Sequence, residues 1–281
     1  MDIPVRDFSG AVVSVGLTMF GLLGAFFLLT QLLQFVLSYT PLEAGVRMLP
    51  VAGAIAVVAP LSSQLVRRLG TKLTITGGLL LAAGGLWQIS GATIATTYSD
   101  IVVGMTLLGI GAGLVIPTTA ASVMGSLPEE HTGVGAGTNG TFLQTGAALG
   151  VAVIGSLLAT RYQNDMITAL APHPIPHSIE QTILGSIGGA LGVAQHLGGV
   201  AGAFISHSAN SAFISGMDLG LRTAAIVALA GAIFALAILP ARRPRHRTRS
   251  RAIRTGQQTD LTGSPSAPRR ASPLSSSADH T

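Results

Sequence analysis

Six long stretches of this chain contain no Asp, Glu, Lys or Arg, and they restrict its fold more than any other feature. A helix needs roughly 20 mainly apolar residues to cross a hydrocarbon core about 30 Å thick. Each stretch approaches or exceeds that length, so the sequence predicts an all-α integral membrane protein with six transmembrane helices. The stretches are Phe8–Leu42, Met48–Val66, Leu73–Ser99, Ile101–Pro128, His131–Thr160 and Thr223–Ala241.

Turn residues trim these stretches to predicted helices, which together make up a transmembrane domain of residues 1–240. A segment from Thr182 to Ile205 is also long enough to span, but it carries Gln195, His196 and seven glycines. Glycine costs about 1 kcal/mol per helical residue relative to Ala. We therefore predict an external loop over 161–216, with helices along the membrane surface, and spans near 11–36, 46–66, 73–92, 100–123, 136–160 and 218–239.

Charge is scarce and unevenly spread along the chain. Only 10% of residues are charged, against about 25% in soluble domains. Residues 241–281 hold nine of the sixteen Lys and Arg residues and hardly any apolar ones, which predicts a disordered basic tail rather than a nucleic-acid-binding domain. Basic residues prefer the cytoplasmic flanks of spans. With six spans, this rule predicts a multi-pass protein of the cell membrane with both termini in the cytoplasm.

The sequence "RRLGTK" puts Arg67, Arg68 and Lys72 on either side of Gly70, between two apolar stretches. Placing three cations in mid-bilayer would cost about 7–10 kcal/mol, taking roughly 2.5–3.5 kcal/mol each. The cost predicts a tight cytoplasmic turn. The turn either anchors the topology or also takes part in gating.

This loop resembles a degenerate form of the "D-R-x-G-R-K" loop of the major facilitator superfamily, and three further motifs occur in the order that family has. "LLGIGAGLVIP" and "GAALGVAVIGSLL" resemble two of its glycine-rich helices. "QLLQFVLSYTPLEAGVRMLP" resembles a stretch of the drug:proton antiporter branch, the fourteen-span multidrug efflux type. Its matching residues are Gln34, Pro41, Ala44, Gly45, Leu49 and Pro50.

The resemblance covers the C-terminal six-helix half of that branch only, over about residues 4–240. It implies proton-coupled efflux of drugs or other lipophilic molecules by alternating access. Met1 falls where the connecting segment would lead into this half, so we expect that the protein forms a homodimer, pairs with a separate N-terminal half, or is a fragment of a longer gene. Arg67 occupies the position of the family's loop aspartate, which argues against gating by this loop. The alternative is a non-transporting, truncated or modulatory fragment of such a transporter.

Polar side chains within the predicted spans are candidates for a substrate path. Gln31 and Gln34 lie three residues apart, and an unpaired amide facing lipid would cost several kcal/mol. They either hydrogen-bond between helices or line the path, and Asn139 and Gln144 have the same two interpretations. Asp218 is predicted at a helix start, where it either caps the helix or exchanges protons with an outer vestibule. Lipid bilayer, lipophilic substrate and protons are the expected partners.

Small residues and proline mark expected sites of close helix packing. Gly109 with Gly113 and Gly146 with Gly150 form small-x-x-x-small pairs that let helix backbones approach, either statically or as sliding surfaces. Pro117 is expected to kink its span. The chain has no cysteine, its histidines lack metal-ligand spacing, and no catalytic constellation is recognisable. We expect no enzyme activity, no metal and no cofactor.

Overall fold

The computed structural model describes residues 5–126, 132–173 and 175–238, and these are almost entirely helical. The basic tail, for which disorder is predicted, and the acidic pair at 129–130 lie outside the described residues. A short π-helical segment, Leu32–Val36, continues the first helix. The α-helices are α1 Val5–Gln31, α2 Pro41–Arg47, α3 Leu49–Leu69, α4 Thr71–Ser90, α5 Tyr98–Ser126, α6 Thr132–Leu170, α7 His177–Gly185, α8 Ile187–Leu197 and α9 Gly199–Ile238.

Six helical segments of the described chain are long and apolar enough to cross a membrane, which confirms the predicted fold class. The first segment includes the π-helical residues, and the second comprises α2 and α3. Their bounds are Ser9–Val36, Pro41–Leu69, Thr71–Ser90, Tyr98–Gly125, Gly133–Leu170 and Gly199–Ile238.

The helices of the last two spans, α6 and α9, extend well beyond their predicted bounds. α6 continues to Leu170 and α9 begins at Gly199, so much of the predicted loop 161–216 is helical. Side chains on both extensions are buried, including Met166 on α6 and Phe213 on α9. Burying such side chains contributes about 1.5–3 kcal/mol each, which offsets the weak helix propensity of the glycines between them.

The ambiguous segment 182–205 is divided among three helices. Ser186, with extended backbone angles, separates α7 from α8, and Gly198, with a φ of 61°, separates α8 from α9. The eleven residues of α8 measure about 16 Å at 1.5 Å per residue, roughly half of a hydrocarbon core. α8 is therefore too short to be a seventh span.

The core of the bundle lies around α1. This helix packs against α5, α6 and α9, and α4 packs between α5 and α9. Leu28 and Leu29 at the end of α1, and Leu32 and Leu33 in the π-helical segment, are almost fully buried. α3 packs mainly against α5. It therefore lies at the edge of the bundle with much of its surface uncovered.

Candidate functional site

The predicted site residues fall in different parts of the bundle. We call the end where α1 finishes and α5 begins the paired end. The opposite end, where Gly70 joins α3 to α4, we call the turn end. α1 and α6 run parallel, since Gly16 contacts Gly146 and Phe20 contacts Gly150.

The two glutamines lie at the paired end, where the α-helix changes to a π-helix. Gln31 is the last residue of α1, and Gln34 lies inside the π-helical segment, where Leu37 N–H donates to the Leu32 carbonyl at 3.0 Å. The i→i+5 bonding of a π-helix widens the turn, and such segments recur at functional sites. Both side chains are half-buried, and within the described residues neither amide has a hydrogen-bond partner. They are therefore free to bind another polar group.

Asn139 and Gln144 lie on α6 near the turn end and point to different surroundings. Asn139 is 8% exposed and its Oδ1 has no partner within the described residues, whereas Gln144 is exposed. The parallel register of α1 and α6 separates Gln31 from Asn139 by about 30 Å along the helix axes, at 1.5 Å per residue. The four residues do not form one cluster.

Asp218 occupies the middle of α9, nineteen residues after Gly199, and not a helix start. The expected capping role is therefore wrong, because α9 begins much earlier than the sequence pattern indicated. Its Oδ1 lies 2.6 Å from Arg222 Nε, an ion pair one helical turn apart, although the N–H does not point directly at the oxygen. The Arg222 guanidinium lies 5.7 Å from the centre of the Trp87 ring.

The other two arginines of the paired end also have partners. Arg161 Nε donates to Ser215 Oγ at 2.9 Å and lies 3.3 Å from Asp165 Oδ2. The guanidinium carbon of Arg47 lies 3.6 Å from the ring centre of Tyr39 and 5.8 Å from that of Tyr98.

The contacts around Arg47 connect α2 to α5 and were not predicted from the sequence. Tyr98 Oη donates to the Arg47 carbonyl at 3.0 Å, which connects α5 to α2. Thr40 and Glu43 form a capping box that begins α2. The "TPLE" sequence is a recognisable capping-box signal. The approach of Tyr98 across fifty-one residues has no such signal.

The turn end is held by the backbone. Gly70 alone joins α3 to α4, with φ 89° and ψ 162°, a region that residues with a Cβ avoid. Its N–H donates to the Val66 carbonyl at 2.8 Å, and Thr74 Oγ1 donates to the Gly70 carbonyl at 2.9 Å. Arg67 and Arg68 are exposed. Within the described residues neither of them, nor Lys72, has an ion-pair partner.

Both glycine pairs lie where helices approach closely. A Cβ added to Gly109 would lie 2.6 Å from the Val51 carbonyl of α3, and one on Gly113 would lie 3.2 Å from Ile55 Cα. Gly146 and Gly150 contact the α1 backbone, and Pro117 lies within α5. A second set, missed in the sequence, joins α4 to α5 and repeats every seven residues. It comprises Gly78 and Gly85 on α4 with Gly111 and Gly104 on α5.

A model of the Major Facilitator Superfamily matches residues 4–151, which is more than half of the chain. The chain belongs to the major facilitator superfamily. Most of this major facilitator chain matches less than half of each of the relatives described below. The tetracenomycin C resistance and export protein of Streptomyces glaucescens is 33% identical over 237 residues, which cover 81% of this chain and 43% of that protein.

Two mycobacterial relatives agree with this assignment. The multidrug resistance protein Stp of Mycobacterium tuberculosis is 30% identical over 235 residues, covering 79% of this chain and 43% of that protein. The multidrug efflux pump LfrA of Mycolicibacterium smegmatis is 28% identical over 231 residues, covering 81% and 45%. This major facilitator chain thus spans less than half the length of these relatives, and the family to which it belongs is one of membrane transporters.

Proposed function

We propose that this chain is one half of a proton-coupled transporter that exports drugs or other lipophilic molecules by alternating access. The observation that carries the proposal is the match to three proteins named for resistance, export or efflux, each over about 80% of this chain. Alternating access moves one repeat against another around a central site. Because the chain spans less than half of those relatives, the proposed mechanism requires a second six-helix half beside this one.

Two helices support this need for a partner. Only 11% of the span that includes α3 and 22% of the span of α6 are buried inside the chain, against 61% for the spans of α1, α4 and α5. Polar residues occur on α6, where the buried Asn139 Oδ1 has no hydrogen-bond partner among the residues that the structure describes. A second half packed on α3 and α6 would cover part of their free surfaces and enclose a path between the halves.

Gln31, Gln34 and Asn139 are the groups that we propose for the substrate path, together with Gln144, which follows Asn139 on α6. The two glutamines serve the paired end of the path and the two α6 residues serve the turn end, since alternating access opens the ends in turn. Asp218 is a weaker proton-linked candidate because Arg222 already neutralises its charge. By the distribution of basic residues, the turn end faces the cytoplasm and both termini lie there.

Dye efflux in intact cells tests the transport proposal. Cells expressing this chain together with a separate N-terminal half are loaded with ethidium, a lipophilic cation, and fluorescence is followed with and without a protonophore. Protonophore-sensitive loss of dye that requires both halves is expected. Absence of efflux in every pairing, with both proteins present in the membrane, would contradict the proposal.

A non-transporting fragment that modulates an intact transporter is the second candidate. The match to each relative covers less than half of that protein, which is the extent expected of such a fragment. Co-purification with a full-length transporter, accompanied by a change in that transporter's efflux and by no efflux from the chain and its pairings, would distinguish this candidate from the first.

A further inference from the structure

A groove runs along the surface between α3 and α5 near the turn end. Its cavity volume is about 400 Å³, within the range of roughly 300–1,000 Å³ that is usual for small-molecule sites. Val58, Leu61 and Leu65 of α3 form one wall, and Ile110 and Leu114 of α5 form the other. Leu61 is 50% exposed, so the groove opens sideways, away from the bundle.

The polar groups of this groove lie toward one end. Gln64 and Arg68 of α3 complete its lining, and Arg68 is two residues from the turn at Gly70. Both side chains are exposed, and Arg68 has no ion-pair partner among the described residues. The lining therefore combines five apolar side chains with one positive charge that has no counter-charge within the part of the chain that the structure describes.

The length of the groove matches one leaflet of a bilayer. Val58 and Arg68 are ten residues apart on α3, about 15 Å at 1.5 Å per residue. The hydrocarbon of one leaflet is also about 15 Å deep, half of the 30 Å core. When Arg68 lies at the headgroup level, the apolar walls reach the middle of the membrane.

We propose that this groove binds one anionic phospholipid, with an acyl chain along α3 and α5 and the phosphate at Arg68. A guanidinium suits phosphate because its planar fork donates two parallel hydrogen bonds, and Gln64 adds an amide donor one turn away. A lipophilic cation, one substrate class compatible with the proposed export function, would meet the positive charge of Arg68. The charge selects an acidic amphiphile.

Lipid counting on the purified chain tests the proposal. The whole chain in neutral detergent is titrated with phosphatidylglycerol or phosphatidylcholine of the same acyl chains, and bound lipid is counted by native mass spectrometry. We expect one phosphatidylglycerol at saturation and weaker binding of phosphatidylcholine. Arg68→Gln should weaken phosphatidylglycerol binding about fivefold, given about 1 kcal/mol for each cation near an acidic headgroup.

Arg67→Gln is the matched control, because Arg67 is the adjacent exposed cation and does not line the groove. It should leave the binding constant unchanged, and Ile110→Trp, which fills the groove and keeps both charges, should abolish the bound lipid. Equal loss in Arg67→Gln and Arg68→Gln would show diffuse attraction and overturn the proposal. Unchanged binding in Arg68→Gln, or equal binding of phosphatidylcholine, would overturn it too.

Two further measurements distinguish the lipid from other molecules that could occupy the groove. Competition by sn-glycerol 3-phosphate at equal affinity would reveal a phosphate site without an acyl chain, contrary to the proposal. Release of phosphatidylglycerol when an N-terminal half is co-purified would make the groove part of the contact between halves, also contrary to it. That last result would support the proposed function, whereas specific lipid binding without dye efflux would contradict only the function.

Discussion

The two ends of the helix bundle use their positive charges differently. At the paired end, Arg47 lies against the ring of Tyr39, and Arg161 and Arg222 each form an ion pair with an acid four residues away. At the turn end, Arg67, Arg68 and Lys72 have no ion-pair partner among the described residues. At the paired end, side-chain contacts connect the helices. At the turn end, the backbone of Gly70 connects α3 to α4. Within the residues that the structure describes, the cations of the turn end therefore lack the side-chain contacts that tie the cations of the paired end to the fold.

The largest effect is expected at Gly70, whose backbone angles belong to a region that is almost restricted to glycine. Gly70→Ala should lower the free energy of unfolding by about 2 kcal/mol. Gly45→Ala is the control, because Gly45 lies in α2 at the other end and nothing is within 4 Å of an added Cβ there. The midpoint of chemical unfolding in detergent, followed by circular dichroism, measures both. Equal stability of the two variants would mean that the turn end does not depend on its backbone.

Arg47→Gln should have the next largest effect, because it removes the cation from the ring of Tyr39. A loss of about 1 kcal/mol is expected, the usual size of an exposed or half-buried cation–π contact. Arg67→Gln is the matched control at the turn end and should change nothing measurable. The same unfolding experiment applies, and a similar loss in both variants would remove the distinction between the two ends.

Arg222→Gln tests the ion pair in the middle of α9. The pair is about half-exposed on the arginine side, so a loss of less than about 1 kcal/mol is expected. A double-mutant cycle with Asp218→Asn isolates the coupling, and the coupling should shrink as salt is raised from low to physiological concentration. A coupling energy of zero at low salt would show that the pair contributes nothing to stability.

The smallest effect is expected for Arg67→Asp, which restores the acid that the resembled family keeps in this loop. Since Arg67 has no partner among the described residues, the free energy of unfolding should stay within about 0.5 kcal/mol. Dye efflux by the paired halves is the second measurement. Unchanged efflux is expected of a plain topological anchor, whereas a rise would mean that a gating contact had been lost from the turn.

Segments whose structure depends on a single physical requirement could be predicted from the sequence. Twenty apolar residues without charge can be identified without knowing their neighbours, and all six spans follow from that requirement. The short α8 and the interruptions at Ser186 and Gly198 agree with the argument against a seventh span. The family could also be recognised, since its motifs occur in order along the chain.

Contacts between distant segments were beyond the reach of the sequence. The position of Asp218 was wrong because α9 begins at Gly199, and that start depends on burial against α6 and α8. The change to a π-helix at Gln34 and the approach of Tyr98 to Arg47 likewise have no local signal. Such features depend on packing between distant segments, which no single residue indicates.

From its own residues the sequence predicts six helices able to cross a membrane, because the cost of placing charge or unpaired backbone in hydrocarbon acts on each segment by itself. It also determined that Gly70 and three cations form a turn. Contacts between helices, such as Arg161 with Ser215 and Tyr98 with Arg47, depend on the tertiary structure, since they need residues far apart in the sequence to meet at one place. That same packing leaves Arg68 beside an open apolar groove, the feature from which we infer an acidic lipid as its counter-charge.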